Sequence, residues 1–112
     1  MTTTLTNLTF DCADANALAG FWSAVLDHPV GDDASPEYAT LTGTPGWMFI
    51  QVPEPKATKN RVHPDLHTDD LPAEVTRLVA LGATHLADHT EAGTTWATLA
   101  DPEGNEFDVA AD

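Results

Sequence analysis

The run Lys59-Asn60-Arg61-Val62-His63-Pro64-Asp65-Leu66-His67-Thr68-Asp69-Asp70-Leu71 decides the fold. Its alternation from Val62 to Thr68 predicts a strand, because successive strand side chains take opposite faces. His63, Asp65 and His67 share one face. Val62, Pro64 and Leu66 share the other. Asp69 or Asp70 then offers an N-cap, and Leu71, Val75, Leu78 and Val79 recur at helical spacing. Pro72 fits the first turn of that helix and Gly82 ends it. The stretch is therefore a strand–helix unit whose polar strand face carries two imidazoles and a carboxylate.

The same design stands upstream. Thr6 to Asp11 reads as a strand, with Asn7, Thr9 and Asp11 opposite Leu8 and Phe10. Asp14 caps a helix with the stripe Leu18, Phe21, Trp22, Val25 and Leu26, which ends near His28 because Pro29 follows. Three strands follow each helix: near Val30, Glu37 to Thr42 and Trp47 to Val52 in the first half; Thr84 to His89, Thr94 to Ala100 and Asn105 to Ala110 in the second. Gly43-Thr44-Pro45-Gly46, Glu91-Ala92-Gly93 and Asp101-Pro102-Glu103-Gly104 supply turns. The order β-α-β-β-β written twice is an internal duplication in an α+β domain. Module one runs from about 4 to 53, a linker covers 53–60, and module two runs from about 61 to 112. Superposing Asp14 on Asp70 brings Asn7 to the place of His63.

The chain has 112 residues, 18 acids against 4 bases, and a net charge of −14. Such a field repels nucleic acid and anionic membranes, so neither is an expected partner. No apolar run reaches the roughly 20 residues of a membrane helix, and Met1-Thr2-Thr3-Thr4 does not open a signal peptide. Cys12 is a single cysteine, which points to a cytoplasmic protein. It reads as a small buried residue at the first strand–helix junction.

The polar strand faces nominate the site. Glu106 and Asp108 alternate with Phe107 and Val109, and the apolar pair must seek the helices. Asn7, His63, Glu106 and Asp108 are thereby driven to one concave side. Each also has a plainer reading: His63 and Asp65 as wall hydrogen bonds, His67 as a partner of Asp69, and Glu106 with Asp108 as a solvated acidic face. His85 and His89 read as an exposed strand face. Trp22 and Trp96 read as core. Trp47 to Ile50 is apolar on both faces, which suits an apolar ligand or a dimer interface. Lys56, Lys59 and Arg61 sit in and beside the linker, where they can anchor it to carboxylates.

Four segments carry a family resemblance: Leu8 to Asp14, Phe21 to Leu26, Lys59 to Leu71, and Asp101-Pro102-Glu103-Gly104-Asn105-Glu106-Phe107. With them the whole chain resembles the vicinal oxygen chelate superfamily, the group of glyoxalase I, bleomycin-resistance proteins and extradiol dioxygenases. The resemblance implies a U-shaped mixed sheet around a small-molecule cleft, helices on its outer face, and a homodimer. It places metal ligands on the first and last strands of each module, which here are Asn7, Gln51, His63 and Asp108. Asn7 and Gln51 are amides where metal-binding members have stronger ligands, and Asp108 is shorter than glutamate. A tightly held divalent ion is therefore not expected. A second set is His63, His67, Glu106 and Asp108. Three functions follow from the resemblance. One is a metal-assisted lyase, isomerase or dioxygenase-like enzyme with Glu106 as base. The second is a metal-free antibiotic- or metabolite-sequestering protein. The third is a metal-free proton-transfer enzyme. The ligand cleft would comprise Asn7, Gln51, His63, Asp65, His67 and Asp108 around a small organic molecule.

Overall fold

Two aspartates start the two helices in the same way. The Asp14 carboxylate accepts the Ala17 N–H at 3.1 Å, and the Asp70 carboxylate accepts the Ala73 N–H at 3.1 Å. Each satisfies an amide that the helix itself leaves unpaired. In the computed structural model, which describes residues 2–112, α1 spans Ala15–Leu26 and α2 spans Leu71–Leu81. Asp27 closes α1 in the left-handed region (φ 56°), and Gly82 closes α2 at φ 124°. Gly82 is the natural choice there, since a side chain at that φ is strained.

The chain divides into two compact units, residues 1–55 and 56–112. The first contains β1 (Asn7–Cys12), α1, β2 (Tyr38–Leu41) and β3 (Gly46–Gln51) in a three-stranded sheet of order β1-β3-β2. β1 pairs parallel with β3, and β2 pairs antiparallel with it. The expected strand near Val30 is reduced to an isolated bridge, Val30 to Leu41. Trp22, Leu18 and Phe49 are fully buried. Phe10 stacks on Trp47 with centroids 5.2 Å apart, and Trp22 meets Trp47 at 5.1 Å. Trp47 and Phe49 thus face α1, while Met48 and Ile50 take the other face. Leu8 lies on the α1 side by register but remains 39% exposed at the strand's start.

The second unit contains β4 (Asp65–Thr68), α2, β5 (Thr84–Glu91), β6 (Thr94–Ala100) and β7 (Glu106–Ala111). Its sheet has the order β4-β7-β6-β5, with β4 parallel to β7 and the remaining pairs antiparallel. Phe107, Val109, Leu99, Ala97 and Leu78 form the core between sheet and helix. β4 starts three residues later than the alternation predicts. Pro64 has no N–H to give, so pairing begins with its carbonyl, which accepts the Asp108 N–H at 3.0 Å. Val62 accordingly lies outside the sheet and is 77% exposed.

One carboxylate fixes the β6–β7 turn. Asp101 is 2% exposed. Its Oδ1 accepts the backbone N–H groups of Glu103 and Asn105, both at 2.9 Å, and the Asn105 amide donates to both of its oxygens. Gly104 completes the turn at φ 87°, a left-handed conformation. Removing a buried acceptor that serves several donors should cost about 1.5–3 kcal/mol. Asp101→Ala is expected to lower the urea midpoint by that amount with an unchanged slope; a midpoint equal to wild type would dismiss the turn as a stabilising element.

Candidate functional site

Strand alternation on β7 sends Phe107 and Val109 into the core and leaves Glu106 and Asp108 on the face away from α2. Register then assembles the neighbours. Asp65 on β4 and Thr98 on β6 both lie directly opposite Asp108. The Thr98 hydroxyl donates to Asp108 Oδ1 at 2.6 Å. His63 stands just before β4, and its Nε2 is 3.3 Å from Asp108 Oδ2 and 3.3 Å from Asp65 Oδ1. One donor atom from each of His63, Asp65 and Asp108 lies within 4.8 Å of the others. Their side chains are 39%, 68% and 23% exposed. The imidazole thus meets both carboxylates through the same ring nitrogen, Nε2.

An imidazole and two carboxylates are a chemically sound ligand set for a divalent first-row ion with positions left open. These three residues therefore fit such an ion. In the first unit the two amides expected as ligands lie apart. Asn7 opens β1, with its carboxamide oxygen so close over Gly46 that a Cβ there would lie 2.6 Å from it. Gln51 sits on the other face of that sheet, because Asn7 is opposite Gly46 and Gln51 is five residues further along β3. The Gln51 amide donates to the Ala13 carbonyl at 3.0 Å. Asn7 and Gln51 are not brought together on one face.

Glu106 is committed elsewhere. Its Oε1 accepts the Asn60 N–H at 3.0 Å, and Lys56 Nζ lies 3.3 Å from Oε1 and 3.4 Å from Oε2. Burial alone would raise this carboxyl; the N–H groups of Asn60 and of Glu106 itself, with the Lys56 ammonium, outweigh it and hold the group below the usual carboxylate range. Lys56 thus anchors the linker to a carboxylate. His67 pairs with Asp112 (3.5 Å), not with Asp69, so the set of His63, His67, Glu106 and Asp108 is not assembled.

Two expectations for β5 and β6 are corrected. A bulge between His85 and Ala87 breaks the alternation, so His85 lies opposite Leu99 and His89 opposite Trp96. The two histidines therefore occupy opposite faces. His85 bonds Asp88 at 2.7 Å, and His89 stacks on Trp96 at 4.9 Å. Trp96 is half-buried on the same face as Thr98 and Asp108, not in the core. Thr98 and the bulge went unread because neither has a local sequence signal; counting register back from the Asp101–Asn105 turn would have found Thr98.

A family model described as a glyoxalase-like domain matches residues 7–110. Comparison with curated proteins gives no match. Among solved structures, a glyoxalase/bleomycin resistance protein/dioxygenase family enzyme from Burkholderia phytofirmans superposes with a TM-score of 0.80 at 20% identity, covering 97% of this chain and 98% of that one. A genomically encoded fosfomycin resistance protein from Listeria monocytogenes gives 0.78 at 13% identity, covering 100% and 95%. A lactoylglutathione lyase from Agrobacterium tumefaciens gives 0.68 at 17%, covering 97% and 93%.

The Thr98–Asp108 bond is charge-assisted and short, the kind that contributes about 1.5–3 kcal/mol. Thr98→Val, which keeps the shape and removes the donor, is expected to lose stability in that range by chemical denaturation. Thr98→Ser should recover most of it. Equal stabilities for the valine and serine variants would show that the hydroxyl contributes nothing.

Proposed function

Because the chain belongs to the glyoxalase-like domain family, we propose that it binds a small organic molecule on the open face of the second unit's sheet, with His63, Asp65 and Asp108 as its polar contacts. The convergence of these three groups on one another, braced by Thr98, is the observation that carries this reading. It accords with relatives of the same fold whose names attach them to lactoylglutathione and fosfomycin, both small organic molecules.

The chemistry the arrangement supports best is proton transfer. Asp108 and Asp65 orient the imidazole through Nε2, and Nδ1 takes a proton from a ligand carbon or hydroxyl. The two carboxylates stabilise the imidazolium that results. Glu106, whose two oxygens are held by Asn60 and Lys56, is not the base. His63, Asp65 and Asp108 would hold a divalent ion, which would supply Lewis-acid stabilisation of developing oxyanion charge. His63 and Asp65 are exposed and Asp108 is partly so, so such an ion would be loosely held. The same exposure favours a metal-free binder that sequesters an antibiotic or metabolite as the second reading. The two units are taken as one domain, a reading supported by one family match that runs across both.

Two further properties complete the proposal. The chain works in the cytoplasm, where buried Cys12 stays reduced; no helix among the described residues is long and apolar enough to cross a membrane. It forms a homodimer through the face of the first sheet that carries Met48, Ile50 and the exposed Tyr38.

A thermal-shift screen of small hydroxy- and keto-compounds tests the binding site. Any hit should raise the melting temperature of wild type and lose most of that effect in His63→Ala and Asp108→Asn; a hit whose shift survives both changes binds elsewhere. Elemental analysis of protein purified without added ions is expected to find transition metal well below one equivalent. A stoichiometric ion that His63→Ala removes would convert the loosely held site into a resident one. Light scattering at physiological salt should report double the monomer mass of 11.9 kDa; the monomer mass at micromolar concentration would end the dimer proposal.

A further inference from the structure

His63 is the central group of the site, yet it belongs to no strand. It lies in the irregular segment between the linker and β4. Two backbone ties bracket it. On its C-terminal side the Pro64 carbonyl accepts the Asp108 N–H at 3.0 Å. On its N-terminal side the Asn60 N–H donates to Glu106 Oε1 at 3.0 Å, three residues before the imidazole. Lys56 closes a second tie on the same carboxylate at 3.3 Å and also donates to the Thr58 carbonyl, which shapes the segment between them.

Glu106 and Asp108 project from the same face of β7, two residues apart, roughly 7 Å along the strand. The strand therefore holds the segment at one point and meets the imidazole at the next. The Glu106 side chain is only 17% exposed, and its pairing with Lys56 is half-sheltered rather than a solvated surface contact.

We propose that Glu106 is a positioning residue: by holding Asn60 and Lys56 it fixes the approach to β4 so that His63 Nε2 stays between Asp65 and Asp108. This rests on the reading of His63 as the central binding group, but it is tested in the ligand-free protein, so it stands or falls separately from ligand binding. Without the acceptor at 106, residues 56–63 lose one of the two brackets. Pro64 alone would then leave the imidazole free to swing away from the carboxylates. Glutamine keeps an acceptor for Asn60 and gives up only the ion pair with Lys56.

The test is the set of histidine ring resonances by NMR, with the His85 ring as internal control and the Val109 and Leu99 methyl signals as the measure of an intact core. In Glu106→Ala the His63 ring signals are expected to move or broaden while His85, Val109 and Leu99 stay at wild-type positions. Glu106→Gln should restore the His63 signals. Wild-type His63 signals in Glu106→Ala would overturn the proposal. So would a His63 displacement in Glu106→Gln as large as in the alanine variant, since that would trace the effect to charge and not to the Asn60 bracket. Should Glu106→Ala fail to fold, hydrogen exchange of the wild-type protein decides: a protected Asn60 amide supports the bracket and an unprotected one refutes it.

Discussion

The buried Asp101 carboxylate is the interaction on which the second unit depends. It gathers the N–H groups of Glu103 and Asn105 and the Asn105 side-chain amide, and so sets where β7 begins relative to β6. Everything after that follows from a period of two. A one-residue slip would send Phe107 and Val109 to solvent and Asp108 into the core. Burying an unpaired carboxylate against Leu78 and Leu99 would cost several kcal/mol. The apolar pair and the buried turn thus enforce the same register by separate means. The outward position of Asp108 is a consequence of the core, not of any attraction to His63.

Much of this was legible in the sequence. Asp14 and Asp70 are caps because a carboxylate one residue before an apolar helical stripe has an unpaired amide to bind, and that bond is wholly local. The faces of Glu106, Phe107, Asp108 and Val109 were legible for the same reason, since alternation needs no knowledge of partners. What failed was whatever pairing decides. The β5 bulge reverses the face of His89 relative to His85, and a bulge is a property of two strands together. Nor does anything in the strand of Glu106 show that Asn60 and Lys56, from a segment some fifty residues earlier, hold its oxygens. Trp96 reads as core in the sequence, whereas the register places it on the face of Thr98 and Asp108.

The two units solve one folding problem with different chemistry. Each pairs its first strand parallel to its last and lays one helix on the sheet. In the first unit the open face of the last strand carries Met48 and Ile50, and the helix side is a cluster of Phe10, Trp22, Trp47 and Phe49. In the second, the helix side is mostly aliphatic and the open face holds carboxylates and imidazole. A duplicated scaffold permits this division, because helix-side packing suffices to hold each sheet and the open faces can diverge.

A net charge of −14 bears directly on how such a site behaves. Two carboxylates beside one imidazole repel each other, and the surrounding acids add to that repulsion. Thr98 relieves part of it by donating to one Asp108 oxygen, and His63 Nε2 stands between Asp108 and Asp65. The imidazole therefore separates the two carboxylates as well as being the candidate base. Its removal would leave two acids facing each other across a strand pair with no proton between them. Hydrogen bonds flank His63 on both sides in the chain. The Pro64 carbonyl anchors one end and Glu106 the other, so a residue outside the regular strand is kept where the charges of β4 and β7 require it.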